Sequence, residues 1–301
     1  MFTPLLFIFA FYTQYKYSSD IINLLEDPVS MALGGNHSVS MWEAASAYYN
    51  PASSSKKVIG ASHFSYFSNF IGVENIGISG IKSSIYTTSF YVSYIHSKPI
   101  ELTQLIDSQM GIGDGNIVVK DKKPFQSLSA YFALQRKIKQ YLSLGIDLHY
   151  ITEQLPDYSI FDIGIDAGFV YTPSSFITIG GKIRNLTTAR LENGSKEVLR
   201  PSFDITALTK SKKIHTYFTI SSEYDKQKDY SLFAFKDLSI SASLGMEYYI
   251  SPRILIRAGT GNYGMGLGAG LRFKKIYVDY GIRPFHTAGI THKLALSYHI
   301  E

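Results

Sequence analysis

From about Lys57 to the end of the chain, apolar and polar residues alternate with a period of two, segment after segment. That period puts successive side chains on opposite faces of a strand. Between Leu238 and Ile250, one row is Leu238, Ile240, Ala242, Leu244, Met246, Tyr248 and Ile250, and the other is Ser239, Ser241, Ser243, Gly245, Glu247 and Tyr249. Tyr141 to Tyr150 and Phe161 to Tyr171 repeat the pattern, with Asp147, Asp162, Asp166 and several glycines in the polar row. Further on, Met265, Leu267, Ala269, Leu271 and Phe273 oppose Gly266, Gly268, Gly270, Arg272 and Lys274. Rows of glycine and charge do not build a soluble core, so the apolar row is the one to be covered, by a second sheet or by lipid.

Loop lengths separate those two options. Strands are expected near 57–67, 70–82, 85–97, 126–136, 140–152, 158–171, 175–185, 200–209, 213–224, 238–250, 253–260, 264–274, 276–283 and 289–300. Tight connections such as Ser83-Ser84, Ser251-Pro252 and Lys275 alternate with longer ones, notably Ser97 to Phe125, Leu186 to Leu199 and Asp225 to Asp237. Short turns on one side, long loops on the other and an even number of strands of roughly ten residues describe an all-β, transmembrane, antiparallel up-and-down barrel of about fourteen strands. No stretch approaches the ~20 consecutive apolar residues of a membrane helix. The mean hydropathy of +0.01 does not oppose a barrel, whose lipid-facing residues are spread two apart. Aromatics near strand edges, Tyr66, Phe67, Tyr86, Tyr94, Tyr131, Tyr150, Tyr171, Tyr217, Tyr248, Tyr280 and Tyr298, suit interfacial girdles.

The chain divides into residues 1–20, an export segment; 21–56, an N-terminal unit; and 57–301, the barrel. Met1 to Tyr12 reads MFTPLLFIFAFY, which suits the core of a secretory signal better than a span. The charge of +5 comes from scattered lysines without a basic helix or zinc pattern, so nucleic acid is not an expected partner.

Catalytic patterns are missing: G-x-S-x-G, H-E-x-x-H, a P-loop and cysteine are all absent, and the eight histidines are dispersed. No enzyme activity, cofactor or metal is expected. Asp162 and Asp166 share a strand face but lie ~13 Å apart, too far to share a proton. The inward charges instead suit a lumenal network of Asp147, Asp162, Asp166, Glu247 and Asp279 with Lys182, Arg184, Arg257, Arg272 and Arg283. They would also suit a water-filled channel, but the glycine-rich inner faces point to pairing in a crowded lumen.

Asp27 to Ser54 reads DPVSMALGGNHSVSMWEAASAYYNPASS, with Gly34-Gly35 and Asn50-Pro51-Ala52 just before the first strand. In order and spacing this resembles the start of FadL-like outer-membrane proteins, including the PorV/PorQ group and spirochaetal relatives. Asp279-Tyr280-Gly281, Pro284 and the run Ala288 to Leu296 look like the final hairpin of that group, and Gly145 to Leu186 has its strand, strand and R-N-L look. The resemblance implies that Met31 to Ala52 folds inside the barrel as a plug, with Met31, Ala32, Leu33, Gly34, Gly35, Asn50, Pro51 and Ala52 as its marked residues. Two glycines allow close backbone approach, and Asn50-Pro51 fixes the chain as it enters the first strand. A surface linker is the alternative.

The resemblance further implies passive transport of hydrophobic small molecules such as long-chain fatty acids across a bacterial outer membrane. The loops Ser97 to Phe125 and Leu186 to Leu199 would form the rim, where Ile100, Leu102, Leu105, Ile106 and Met110 offer apolar contacts to a ligand. The alternatives are a PorV-like component of a type IX-like secretion and surface-attachment system, whose loops hold an exported protein, and a structural surface barrel. Expected partners are therefore outer-membrane lipid with a hydrophobic ligand or a secreted protein. The sequence leaves the oligomeric state open.

Overall fold

The computed structural model describes residues 26–35, 38–39, 42–54, 56–66, 69–105, 117–154, 159–192, 195–197, 201–224, 233–235, 238–261, 264–285 and 289–300. The expected export segment lies outside them. Fourteen strands form the wall: β1 (Lys57–Tyr66), β2 (Ile71–Lys82), β3 (Thr87–Ser97), β4 (Gln126–Lys139), β5 (Leu142–Gln154), β6 (Ser159–Ser174) and β7 (Ile177–Glu192), then β8 (Ser202–Lys210), β9 (Ile214–Tyr224), β10 (Leu238–Ser251), β11 (Ile254–Gly261), β12 (Gly264–Phe273), β13 (Ile276–Phe285) and β14 (Gly289–Ile300). Each pairs antiparallel with its sequence neighbour, and β14 returns to β1 with Lys57 opposite Ile300. The barrel is closed, so no edge strand is left to be satisfied by lipid, which cannot hydrogen-bond it.

Alternation decides which face is which. Ile146, Met246 and Leu294 are 54%, 47% and 50% exposed, whereas their neighbours Asp147, Glu247 and Lys293 are 2%, 4% and 1% exposed. A soluble protein rarely exposes apolar patches beyond a few hundred Å². Here apolar rows run around the whole barrel, so its outer solvent is the bilayer. Of the aromatics expected in girdles, Tyr86, Tyr94, Tyr150, Tyr171, Tyr280 and Tyr298 do face outward, but Tyr66, Tyr131 and Tyr217 point inward and are buried. Phe67 lies outside the described residues.

Tight turns gather at one end, at Gln140-Tyr141, Ser175-Phe176, Pro252-Arg253 and Lys274-Lys275 among others, and the longer connections at the other. The longest carries its own hairpin, Ile100–Leu105 with Ile117–Lys123. The expected loop Leu186 to Leu199 is shorter than the sequence indicates, because β7 continues to Glu192. A bulge explains the difference. Ile165 pairs with Thr187 and Ala167 with Ile183, so Arg184, Asn185 and Leu186 all oppose Asp166, and Asn185 adopts a left-handed φ of 55°. Two extra residues interrupt the alternation and imitate a strand end.

Inside the barrel, the N-terminal segment forms α1 (Pro28–Ala32), a 3₁₀ turn at Glu43–Ala45 and α2 (Ser46–Tyr49). Asp27 caps α1, its Oδ1 accepting from Val29 N at 2.7 Å and Ser30 N at 2.8 Å, with Pro28 in the first turn where no N–H is needed. Gly34 and Gly35 end the helix at φ 80° and 92°, and Gly35 N–H donates to Ser30 O at 2.9 Å. Met31, Ala32, Leu33, Ala44 and Ala45 are fully buried.

What admits this segment is glycine on the inner wall. Gly259 and Gly266 face each other across β11 and β12, and a Cβ on either would collide with the backbone of Leu33 or Met31. Gly145 and Gly168 form a second such pair on β5 and β6, against Pro51 and Asn50. Asn50 fixes that contact by donating from Nδ2 to Ser38 O at 2.8 Å and Phe169 O at 3.1 Å.

Candidate functional site

Every residue of the expected inward network is described, and the structure sorts them into separate groups. The pairing is between neighbouring strands and the N-terminal segment, not across an open lumen. On β5 to β7, Lys182 Nζ lies 2.7 Å from Asp166 Oδ2 and 3.2 Å from Asp147 Oδ2, and it donates to the Tyr48 carbonyl at 2.5 Å. His149, which the sequence reading did not place here, brings Nδ1 to 3.5 Å from Asp147 Oδ1 and 3.6 Å from Asp166 Oδ1. Asp147, His149 and Asp166 have the composition of a metal site, but the Lys182 ammonium already supplies a cation to both carboxylates. Arg184 sits beside them, its guanidinium 5.4 Å from the Tyr48 ring centroid and its Nε 3.9 Å from Asp204.

A second group lies on β10 to β13. Arg257 donates from Nε to Glu247 Oε1 at 3.0 Å and from Nη1 to Asp279 Oδ1 at 2.7 Å. It reaches over β12, whose inward residues there are Gly268 and Gly270. Arg272 stands nearby, stacked between Tyr249 and Tyr277. Arg283 belongs to a third group: it pairs with Glu26 and donates from Nη2 to Met31 O at 2.8 Å, and Lys293 donates to the Glu26 carbonyl. Asp162 is buried on β6, in register with Arg190 of β7.

The groups therefore grip the N-terminal segment at two places, Tyr48 and Glu26 to Met31. Between them an aromatic cluster fills space, with the Tyr48 ring centroid 5.7 Å from Tyr91, 5.1 Å from Tyr131 and 4.6 Å from Tyr49. Burial pushes the Asp27 carboxyl up to about 6, against the pull of the helix N–H groups that favour its ionised form. Of the expected rim residues, Ile100 is exposed at the start of the loop hairpin. The backbones of Leu102 and Leu105 pair with Asp121 and Ile117, and Ile106 and Met110 lie outside the described residues.

A site not foreseen from the sequence lies in the wall itself. Next to the β7 bulge, an apolar pocket of about 460 Å³ opens on the outer face between β6, β7 and β8. Leu144, Phe169, Ile183, Phe203 and Ile205 line its outer part, and Lys182 and Asp204 reach its inner side. Two small outward residues, Ala167 and Gly181, create the space, with the Phe169 ring lying over Gly181. The bulge is tied to the first charge group, because Asn185 N donates to Asp166 Oδ1 at 2.8 Å. One chain of contacts thus runs from Tyr48 through Lys182 and Asp166 to the bulge at the pocket's edge.

No protein-family model matches the chain, and no curated protein matches it. Among solved structures, it superposes on the toluene transporter TodX of Pseudomonas putida with a TM-score of 0.61 and 12% identity, covering 91% of this chain and 98% of that one. The toluene transporter TbuX of Ralstonia pickettii gives 0.60 at 10% identity, over 91% and 98%. A FadL homologue of Pseudomonas aeruginosa gives 0.52 at 12% identity, over 92% and 98%. Over nearly its whole length, this chain shares the fourteen-stranded barrel fold of these proteins.

Proposed function

We propose that this barrel passes hydrophobic small molecules across a bacterial outer membrane, with the N-terminal segment as its plug. The observation that carries the reading is the apolar pocket in the wall between β6 and β8, coupled through Asp166 and Lys182 to the segment inside. Three polar groups and two glycine pairs crowd the lumen, which disfavours a wide aqueous pore. A hydrophobic solute gains nothing from water on its way, and a route through the wall delivers it to the bilayer. The transported substrates named for the structural neighbours, toluene above all, support this class. A pocket of this size also suits part of a longer chain such as a fatty acid.

Ala167→Trp tests the reading, since the indole fills the pocket from the outer face, where lipid tolerates it. With the chain expressed in the outer membrane of a host lacking its own barrel of this type, toluene and oleate uptake should both be measured. The expected result is a loss of about tenfold or more in uptake of at least one of them, with the barrel still folded by its heat-dependent gel mobility. Uptake of both at the unmutated rate would sink wall transport. The secretion reading predicts that unchanged rate, together with retention of an exported protein on the loops.

A further inference from the structure

At the tight-turn end, between the N-terminal segment and the wall, lies a second cavity of about 420 Å³ with a different chemistry. The carboxylates on its wall are engaged. Arg257 holds Glu247 and Asp279, and the Tyr217 and Tyr249 hydroxyls donate to Glu247 Oε2 at 2.8 and 3.2 Å. Glu43 is met by Lys56 at 3.2 Å and by His299 Nδ1 at 3.4 Å.

Donors are left over. The Arg272 guanidinium lies 5.3 Å from the Tyr249 ring centroid and 5.2 Å from that of Tyr277, and no described carboxylate is within 4.0 Å of it. Its side chain makes one long hydrogen bond, 3.4 Å from Nη2 to the Tyr249 hydroxyl. A guanidinium has five N–H donors in a planar fork, and two stacked rings hold that fork in place before any ligand arrives. On the same cavity, the Trp42 indole N–H is buried without a described partner, and Lys210 has no described carboxylate partner either.

The geometry points to a binding site for a small organic carboxylate, anchored by Arg272 and reached from the turn end of the barrel. Arg272 and Lys210 are cations on this cavity without a described carboxylate, the Trp42 N–H is a further donor, and Glu43 already lies against Lys56 and His299, so the occupant that these groups favour is an oxyanion. Val29, Val39, Leu208 and the Trp42 ring contribute apolar surface beside them, which favours an organic acid over an inorganic anion. The wall pocket takes no part, so the site stands whether or not the barrel carries hydrocarbons.

Trp42 is the single tryptophan of the chain, which makes it a reporter inside the proposed site. The experiment titrates the full chain, purified in detergent, with octanoate, octanol and inorganic phosphate, reading Trp42 emission and, in parallel, heat by calorimetry. Octanoate should bind saturably, octanol and phosphate at least about tenfold more weakly. Arg272→Gln should weaken octanoate by about tenfold or more, as a lost bidentate contact does, and Arg272→Lys should restore only part of it. Arg136→Gln removes a guanidinium stacked on Tyr86 away from the cavity and should change nothing. Octanol binding as well as octanoate, octanoate binding undiminished in Arg272→Gln, or no saturable heat at all would each overturn the proposal. Phosphate equal to octanoate would overturn its organic specificity.

Discussion

Gly259→Val combined with Gly266→Val is expected to expel α1 from the barrel and move Trp42 emission to that of a water-exposed indole. Both Cβ atoms would collide with main chain, at Leu33 and Met31, and main chain cannot rotate out of the way as a side chain can. The two glycines are directly opposed, so no neighbouring space takes up the added volume. Losing the contacts of Val29, Met31 and Leu33 costs about 1.5–3 kcal/mol for each side chain removed from its buried place. The wall itself should persist, because valine is a better strand former than glycine. Ala269→Val, on the outer face of β12, is the matched control and should leave Trp42 buried. A double variant whose Trp42 emission equals that of the unmutated chain would mean that the segment is not held by the glycine hollow.

Much of the wall was legible in the sequence, since its strands face two solvents of opposite character and a period of two records that contrast. Leu238 to Ile250 and Met265 to Phe273 read correctly for that reason. The pattern fades where the N-terminal segment is itself apolar. There the inner row includes Val58, Phe64, Val73, Tyr91 and Ile95, all buried, and both faces of β1 to β3 look alike in sequence. Tyr66, Tyr131 and Tyr217 read as girdle residues in the sequence because an aromatic near a strand end suits either face. Their row parity, once the strand register is known, decides for the inside. The inward charges were identifiable one by one, but their grouping depends on cross-strand register, which no single segment contains. His149 joins Asp147 and Asp166 only because β5 and β6 pair as they do. The wall pocket had one trace, the interruption of alternation at Arg184-Asn185-Leu186, and that signal reads equally well as the end of a strand.

Lys182→Met is expected to destabilise the folded chain by about 3–5 kcal/mol, the usual cost of stripping one partner from a buried ion group. Asp147 and Asp166 face each other across β5 and β6, and Lys182 is the cation that touches both. Its side chain is 1% exposed and those of the two acids 0% and 3%, so water is not at hand to replace it. The same substitution removes the hydrogen bond to Tyr48 O and so loosens the N-terminal segment at its second grip. Urea unfolding of the refolded barrel, followed by circular dichroism, measures the cost. Adding Asp166→Asn to Lys182→Met should recover part of it, because one buried charge disappears while an oxygen remains to accept from Asn185 N. The coupling between the two positions should fall at about 0.5–3 kcal/mol in a double-mutant cycle. A cost below about 1 kcal/mol for Lys182→Met would place the group in contact with water, in the range of exposed ion pairs. In that case the lumen is open beside β7, and the route of a solute would run through the barrel rather than through its wall.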